Sequence, residues 1–320
     1  MPLVKSNYRS WVKNGHLQTI LPNLFRKIKF IEPRVEIIDT PDDDFLELEW
    51  YENKNTDKLL VLTHGLEGNA KRTYMLGMAK YFFNKGYSVL CWNFRSCGTT
   101  MNRQLRFYHT GDTTDITTVL NHCFTNYNYS KIALVGFSMG GNVSLKYLGE
   151  LGEVVNNKIK TVCAISAPVH LESSSRRMMK FENKIYMKRF IRFLRKKIEI
   201  KSKSFPDKLS LEGYENVKNF KHFDDKYTSP IHGFINAEDY WTQASSLPLL
   251  HRISIPSLLI NAENDSFLGK ECFPIEIAEK SSLFHLEIPK SGGHVGFWTL
   301  EEFNWAEKRA FEFVDSYMNL

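Results

Sequence analysis

The chain of 320 residues has only five cysteines: Cys91, Cys97, Cys123, Cys163 and Cys272. Their number is odd, they are scattered and no C-x-x-C pair occurs, which argues against a disulfide framework and a zinc ribbon and fits a reducing compartment. No H-E-x-x-H or comparable ligand spacing is present, so neither a metal nor another cofactor is expected. No apolar run approaches the ~18 residues of a membrane-spanning helix. The opening MPLVKSNYRSWVKNG has no apolar signal core and no cleavage site. The expectation is a cytoplasmic protein. Internal repeats and low-complexity linkers are also missing.

The net charge of +6 is unevenly spread. Residues 176–203 hold 12 Lys and Arg against 2 Glu, so the remainder of the chain is net negative. A uniformly basic nucleic-acid binder would not be built this way, and no nucleic-acid partner is expected. Within that segment Met187, Phe190, Ile191, Leu194 and Ile198 recur at helical spacing, with Lys188, Arg189, Arg192, Arg195 and Lys196 between them. This is an amphipathic basic helix. The simpler reading packs its apolar face on the rest of the protein. The sharper one gives it peripheral contact with anionic membranes. Nothing calls for an obligate protein partner.

Short β-rich runs alternate with helical patterns. Residues 34–38 and 45–51 alternate like half-exposed strands. The run at 58–65 is near-continuously apolar, as a buried parallel strand is, and 87–94, 132–136, 161–169, 256–262 and 284–289 complete the set of strands. Helical patterns cover about 72–84, 113–126, the stretch after Ser138, and about 300–318; Gly86 fits the position after a helix end. Such alternation predicts an α/β fold with a mostly parallel sheet between helical layers. The alternation fails between about His170 and Leu247. The expected organisation is therefore a core of residues 1–169 and 248–320, with an N-terminal arm over about 1–33. A helical cap of residues 170–247 would stand at the C-terminal strand ends, where ligands bind in open α/β sheets.

Gly136-Phe137-Ser138-Met139-Gly140 matches G-x-S-x-G between a strand and a helix. There the serine sits in a strained turn whose flanking positions tolerate only glycine. The pentapeptide alone is a moderate signal, since a small serine in a crowded turn is the bland alternative. Chain order strengthens it. In this arrangement an acid and a histidine follow the serine, each after a later strand. Asp265 stands just beyond 256–262 and His294 just beyond 284–289. Asn264 and Glu263 compete with Asp265, and all three could be loop-capping groups. His64 reads as a turn residue, because His294 already fills the place of the base. The backbone N–H groups of Met139 and Leu66 are the expected oxyanion donors.

With these residues in hand, the chain resembles the YheT-like branch of the α/β-hydrolase superfamily, related to abhydrolase-domain lipases and yeast medium-chain alcohol acyltransferases. The resemblance runs through GHLQTILP (15–22), HGLEG (64–68), NFRSCG (93–98), YHTGDTTD (108–115), GFSMGGN (136–142), FDDKYTSPIHGF (223–234), NAENDSF (261–267) and SGGHVGF (291–297). GHLQTILP and FDDKYTSPIHGF are its most specific parts; no chemistry follows from their residues, and fixing the arm and the cap against the core is preferred to direct substrate contact. The resemblance implies a serine hydrolase with Ser138, Asp265 and His294 as its triad. The chain departs from the branch at Ser96, where Gly is common, and at Asn264-Asp265-Ser266, where Asp-Asp-Pro is common. The H-x-x-x-x-D motif of some eukaryotic relatives is missing, which weakens a glycerolipid acyltransferase reading.

The expected activity is cleavage of short- to medium-chain acyl esters or lipids by a carboxylesterase or lipase-like enzyme. Two alternatives stand beside it. One is acyl transfer to an alcohol through the same acyl-enzyme, recognised by ethyl ester forming in ethanol-containing buffer. The other is a non-catalytic binding protein on the same scaffold, recognised by a serine that no fluorophosphonate labels.

Overall fold

Leu59, Val61 and Leu134 share one face of a sheet, while Leu60, Leu62 and Val135 share the other. Side chains alternate across a strand, so a strand buried on both faces needs apolar residues at every position. A computed structural model describes residues 3–319. The chain runs β1 (Leu3–Val4), α1 (Gly15–Phe25), β2 (Arg34–Thr40), β3 (Asp44–Tyr51), β4 (Lys58–Thr63), α2 (Thr73–Asn84), β5 (Ser88–Asn93), α3 (Thr114–Asn126), β6 (Lys131–Phe137), α4 (Met139–Leu151) and β7 (Ile159–Ile165). After α5 (Leu171–Met178), α6 (Lys184–Ser204), α7 (Phe220–Phe223), α8 (Ser229–His232) and α9 (Ala237–Ala244) it returns through β8 (Ser257–Ile260), α10 (Ile275–Lys280), β9 (Phe284–Glu287) and α11 (Trp305–Met318).

The strands form one sheet in the order β1-β9-β8-β7-β6-β4-β5-β3-β2. β3 pairs antiparallel with both β2 and β5, and the other neighbours are parallel. The fold is α/β, a mostly parallel sheet flanked by helices. α3 and α4 cover one face through Ile116, Leu120 and Val143. α2 and α11 cover the other through Met78, Phe82, Ala310 and Val314.

The structure departs from the sequence expectations in four places. β3 is almost wholly buried instead of half-exposed, because β2 and β5 flank it and its carboxylates find partners. Asn93 donates to Glu47 and Glu49, and the Thr99 N–H to Glu47. GHLQTILP is helical, capped by the Asn14 side chain, with Pro22 inside α1. α10 carries a helix that the six-residue pattern was too short to announce. The last helix starts at Trp305, not near Leu300, because Asn304 and Glu307 form a reciprocal capping box there.

Between β7 and β8 the helices bring Met187, Ile191, Leu194, Ile198, Tyr214 and Phe223 into one apolar cluster, which Phe107 and Phe267 join from outside that stretch. The apolar stripe of α6 is therefore covered by protein. Two of its lysines are buried as well: Lys197, and Lys201, whose ammonium donates to the carbonyls of Asn102 and Gln104. The outward face keeps Lys188, Arg189, Arg192, Arg195 and Lys196. Among the described residues no helix is long and apolar enough to cross a membrane.

Candidate active site

β6 ends at Phe137, α4 begins at Met139, and Ser138 between them takes φ 52°, ψ −120°. A non-glycine residue with positive φ is strained, and the surroundings must hold it there. They do so by close approach. A Cβ on Gly136 would lie 2.4 Å from the Gly140 carbonyl oxygen, and one on Gly140 would lie 2.4 Å from that of Thr63. Both contacts are to backbone, which cannot swing aside, so the two flanking positions must be glycine.

His294 and Asp265 come from the loops after β9 and β8, and the sheet brings both to Ser138. His294 Nε2 lies 2.8 Å from Ser138 Oγ, and His294 Nδ1 lies 2.8 Å from Asp265 Oδ2. An ionised Asp265 can only accept, so Nδ1 carries the proton and Nε2 accepts from the serine hydroxyl. The Asp265 side chain is fully buried. Its other oxygen accepts the Phe267 N–H at 2.9 Å, which fixes the carboxylate's rotation. Asn264 does not touch the imidazole; its side chain donates to the Lys13 carbonyl and accepts the Gly293 N–H. Glu263 is exposed.

His64 lies apart from this line. It is buried, one ring nitrogen facing the Gly65 carbonyl oxygen at 2.7 Å and the other accepting the Phe94 N–H. Burial pushes its pKa down to about 3, against the opposing pull of the Gly65 contact, so it is neutral and structural at neutral pH. Met139 and Leu66 both border the same cavity as Ser138. Neither of their N–H groups has a hydrogen-bond partner among the described residues. Two free donors beside the serine, one of them at a helix N-terminus, can stabilise negative charge on a carbonyl oxygen.

Two cavities meet at Ser138. One, of about 120 Å³, is walled by apolar residues including Leu171, Met178, Leu194, Phe223 and Trp241. A single carboxylic acid interrupts that wall. Asp224 is held by Thr228 Oγ1 at 2.7 Å and Trp241 Nε1 at 2.8 Å. Burial raises its pKa to about 7 although those two donors pull it down. The second cavity, of about 190 Å³, is bordered by Ile20, Leu24, Arg72, Arg189 and Phe193. Leu66, Phe190, Phe267 and His294 border both.

Sequence reasoning did not find the residues that hold the histidine loop. The His294 N–H donates to Thr19 Oγ1 at 2.8 Å, and the Val295 N–H to Ser166 Oγ at 2.9 Å. A Cβ on Gly293 would lie 2.4 Å from the Gly15 carbonyl oxygen. Beneath them Gln18 is buried, bonded to Tyr8, Ser10 and the Val12 carbonyl. GHLQTILP thus buttresses the loop that carries His294. For Ser166 a signal existed, since it stands at the C-terminal end of β7. Ser96 takes φ 61°, a conformation that favours glycine, and its hydroxyl meets the Asn102 side chain.

Residues 58–299 match the α/β-hydrolase fold family. The chain is 32% identical to the candidate esterase YheT of Escherichia coli (strain K12) over 313 residues, covering 95% of this chain and 91% of that one. It is 27% identical to phospholipase ABHD3 of Homo sapiens over 307 residues, covering 92% of this chain and 75% of the relative. Among solved structures, the Pyrococcus furiosus esterase PF2001 superposes with a TM-score of 0.61 at 21% identity, covering 92% of this chain and 96% of that one.

Proposed function

The chain belongs to the α/β-hydrolase fold family, in its YheT-like branch, and is an esterase/lipase-type hydrolase; from that premise we propose that Ser138, His294 and Asp265 are its catalytic triad and that it cleaves carboxylic esters of short to medium acyl chain. The observation that carries the reading is the unbroken line from Ser138 Oγ through the imidazole to Asp265, 2.8 Å at each step.

Ser138 Oγ attacks the ester carbonyl while His294 Nε2 takes its proton. Asp265 keeps the proton on Nδ1 and stabilises the imidazolium. The N–H groups of Leu66 and Met139 receive the developing oxyanion, and each such donor lowers the barrier by about 3 kcal/mol. His294 returns the proton to the leaving alcohol. Water, deprotonated by the same nitrogen, then hydrolyses the acyl-enzyme. The apolar cavity suits the acyl chain and the more polar one the alcohol. Helices α5, α6, α7 and α9 line the apolar cavity and serve as a cap. On the same reading the exposed basic face of α6 meets anionic lipid surfaces by charge alone, since its apolar stripe is occupied.

A fluorophosphonate reacts only with an activated serine. The reading expects a single adduct on the peptide containing Ser138, absent in Ser138→Ala. Lack of labelling in the wild-type protein would overturn it.

A further inference from the structure

The turn after β4 carries the Leu66 N–H, and almost everything around that N–H is tied down. The Gly65 N–H donates to the Tyr74 hydroxyl at 3.1 Å, and the Gly68 N–H to the Gly65 carbonyl at 2.9 Å. The Glu67 N–H donates to the Tyr108 hydroxyl at 3.1 Å, and the Glu67 carbonyl accepts from Arg72 at 2.9 Å. Glu67 sits at φ 53°, a strained value for a side chain of its size. From Gly65 to Gly68, the Leu66 N–H is the one with no hydrogen-bond partner among the described residues.

What holds Glu67 in that conformation comes from outside the turn. Its carboxylate accepts from the Tyr108 hydroxyl and from Lys197 Nζ, the latter at 2.8 Å. Lys197 belongs to α6, 130 residues further along the chain. Its ammonium is buried, lies 3.0 Å from Cys97 Sγ and stands 4.6 Å over the Tyr108 ring. Burial opposes its charge, but Cys97 and Glu67 outweigh that and its pKa is raised. Cys97 itself stays a thiol, pushed up by burial.

A buried Lys–Glu pair adds little to stability compared with well-packed apolar residues, because desolvation cancels most of the attraction. What such a pair supplies is one fixed geometry. Here it joins the helical insertion to the turn that bears the oxyanion donor. We infer that Lys197 is a positioning residue, acting through Glu67 to hold the Leu66 N–H on the oxyanion and to lock α6 to the catalytic turn. The inference rests on the ester-hydrolase reading, and it names a residue on α6 that touches neither substrate nor triad.

The test is a double variant, Lys197→Met with Glu67→Gln, which removes both charges together so that no unpaired ion stays buried. Its kcat on p-nitrophenyl butyrate is expected to fall tenfold or more, with KM within about twofold and the fluorophosphonate-titratable fraction unchanged. Affinity for a trifluoromethyl ketone, whose adduct needs the oxyanion donors, should fall in step with kcat. Lys197→Arg, which keeps a cation on α6, should retain most of the wild-type kcat. Should the double variant fail to fold, Tyr108→Phe removes one hydroxyl from the same carboxylate and is expected to lower kcat and ketone affinity together. Unchanged kcat, or a loss explained wholly by fewer titratable sites, would overturn the inference while wild-type turnover left the hydrolase reading standing. No wild-type turnover at all would sink the hydrolase reading instead.

Discussion

The ring of Phe267 stacks on the imidazole of His294, with centroids 4.2 Å apart and planes 23° from parallel. The same residue's N–H holds Asp265 Oδ1. One residue therefore orients the base with its ring and the acid with its backbone. Stacked aromatic pairs contribute about 0.5–1.5 kcal/mol beyond their burial. Since about 1.4 kcal/mol is tenfold in rate, Phe267→Leu is expected to lower kcat by roughly three- to tenfold while leaving the Asp265 contact in place. Steady-state kinetics on a short ester checks this, and unchanged kcat would show that the stack does not orient the imidazole.

Thr19 gives a second prediction. Its hydroxyl oxygen is the acceptor for the His294 N–H. Thr19→Val keeps the shape and removes the acceptor, leaving a donor in a half-buried loop. An unsatisfied buried group costs about 1–3 kcal/mol. The variant should lose stability by that order and lose kcat as the histidine loop relaxes. Thermal unfolding and kinetics together check it; a variant matching the wild type in both would return GHLQTILP to the status of a simple surface arm.

The pH dependence of stability should carry the mark of Asp224. Unfolded, its carboxyl ionises near pH 4; folded, burial holds the proton up to about 7. Between those values the unfolded chain binds fewer protons, so stability falls as pH rises. The contribution is fully present below about pH 4 and gone above about 7. Asp224→Asn lacks the titration and can still accept from Trp241 and donate to Thr228. Urea unfolding at pH 5 and pH 8 is expected to show the wild type losing about 2.6 kcal/mol relative to the variant. Parallel behaviour of the two proteins would show that Asp224 is ionised throughout.

Contact with lipid is predicted to be electrostatic. Co-sedimentation with anionic vesicles should disappear at high salt, as exposed charges are screened, and neutral vesicles should retain nothing. Replacing Lys188, Arg189 and Arg192 by Gln should weaken it. Binding that survives high salt would mean apolar insertion, contrary to the covered stripe of α6. No binding to anionic vesicles would remove the membrane reading.

The sequence made some of this legible and not the rest, for physical reasons. Buried parallel strands announce themselves because both faces demand apolar residues, and β4, β5 and β6 emerge at nearly their observed bounds. That Ser138, Asp265 and His294 come together was readable because chain order and strand ends are properties of topology. β3 misled because an alternating pattern does not say whether the polar face meets water or neighbours such as Asn93 and Thr99. α1 was missed because a short helix containing Pro22 has little periodicity. Thr19, Ser166 and Lys197 act through contacts between residues 100 or more positions apart, and no local pattern encodes such a contact.

The most direct measurement is hydrolysis of p-nitrophenyl esters from two to sixteen acyl carbons by the wild-type protein and by Ser138→Ala. The account predicts turnover with an optimum at short to medium chains and a loss of roughly 10⁴-fold or more in the variant. Turnover that survives the substitution, or none on any ester in the wild type, would contradict it.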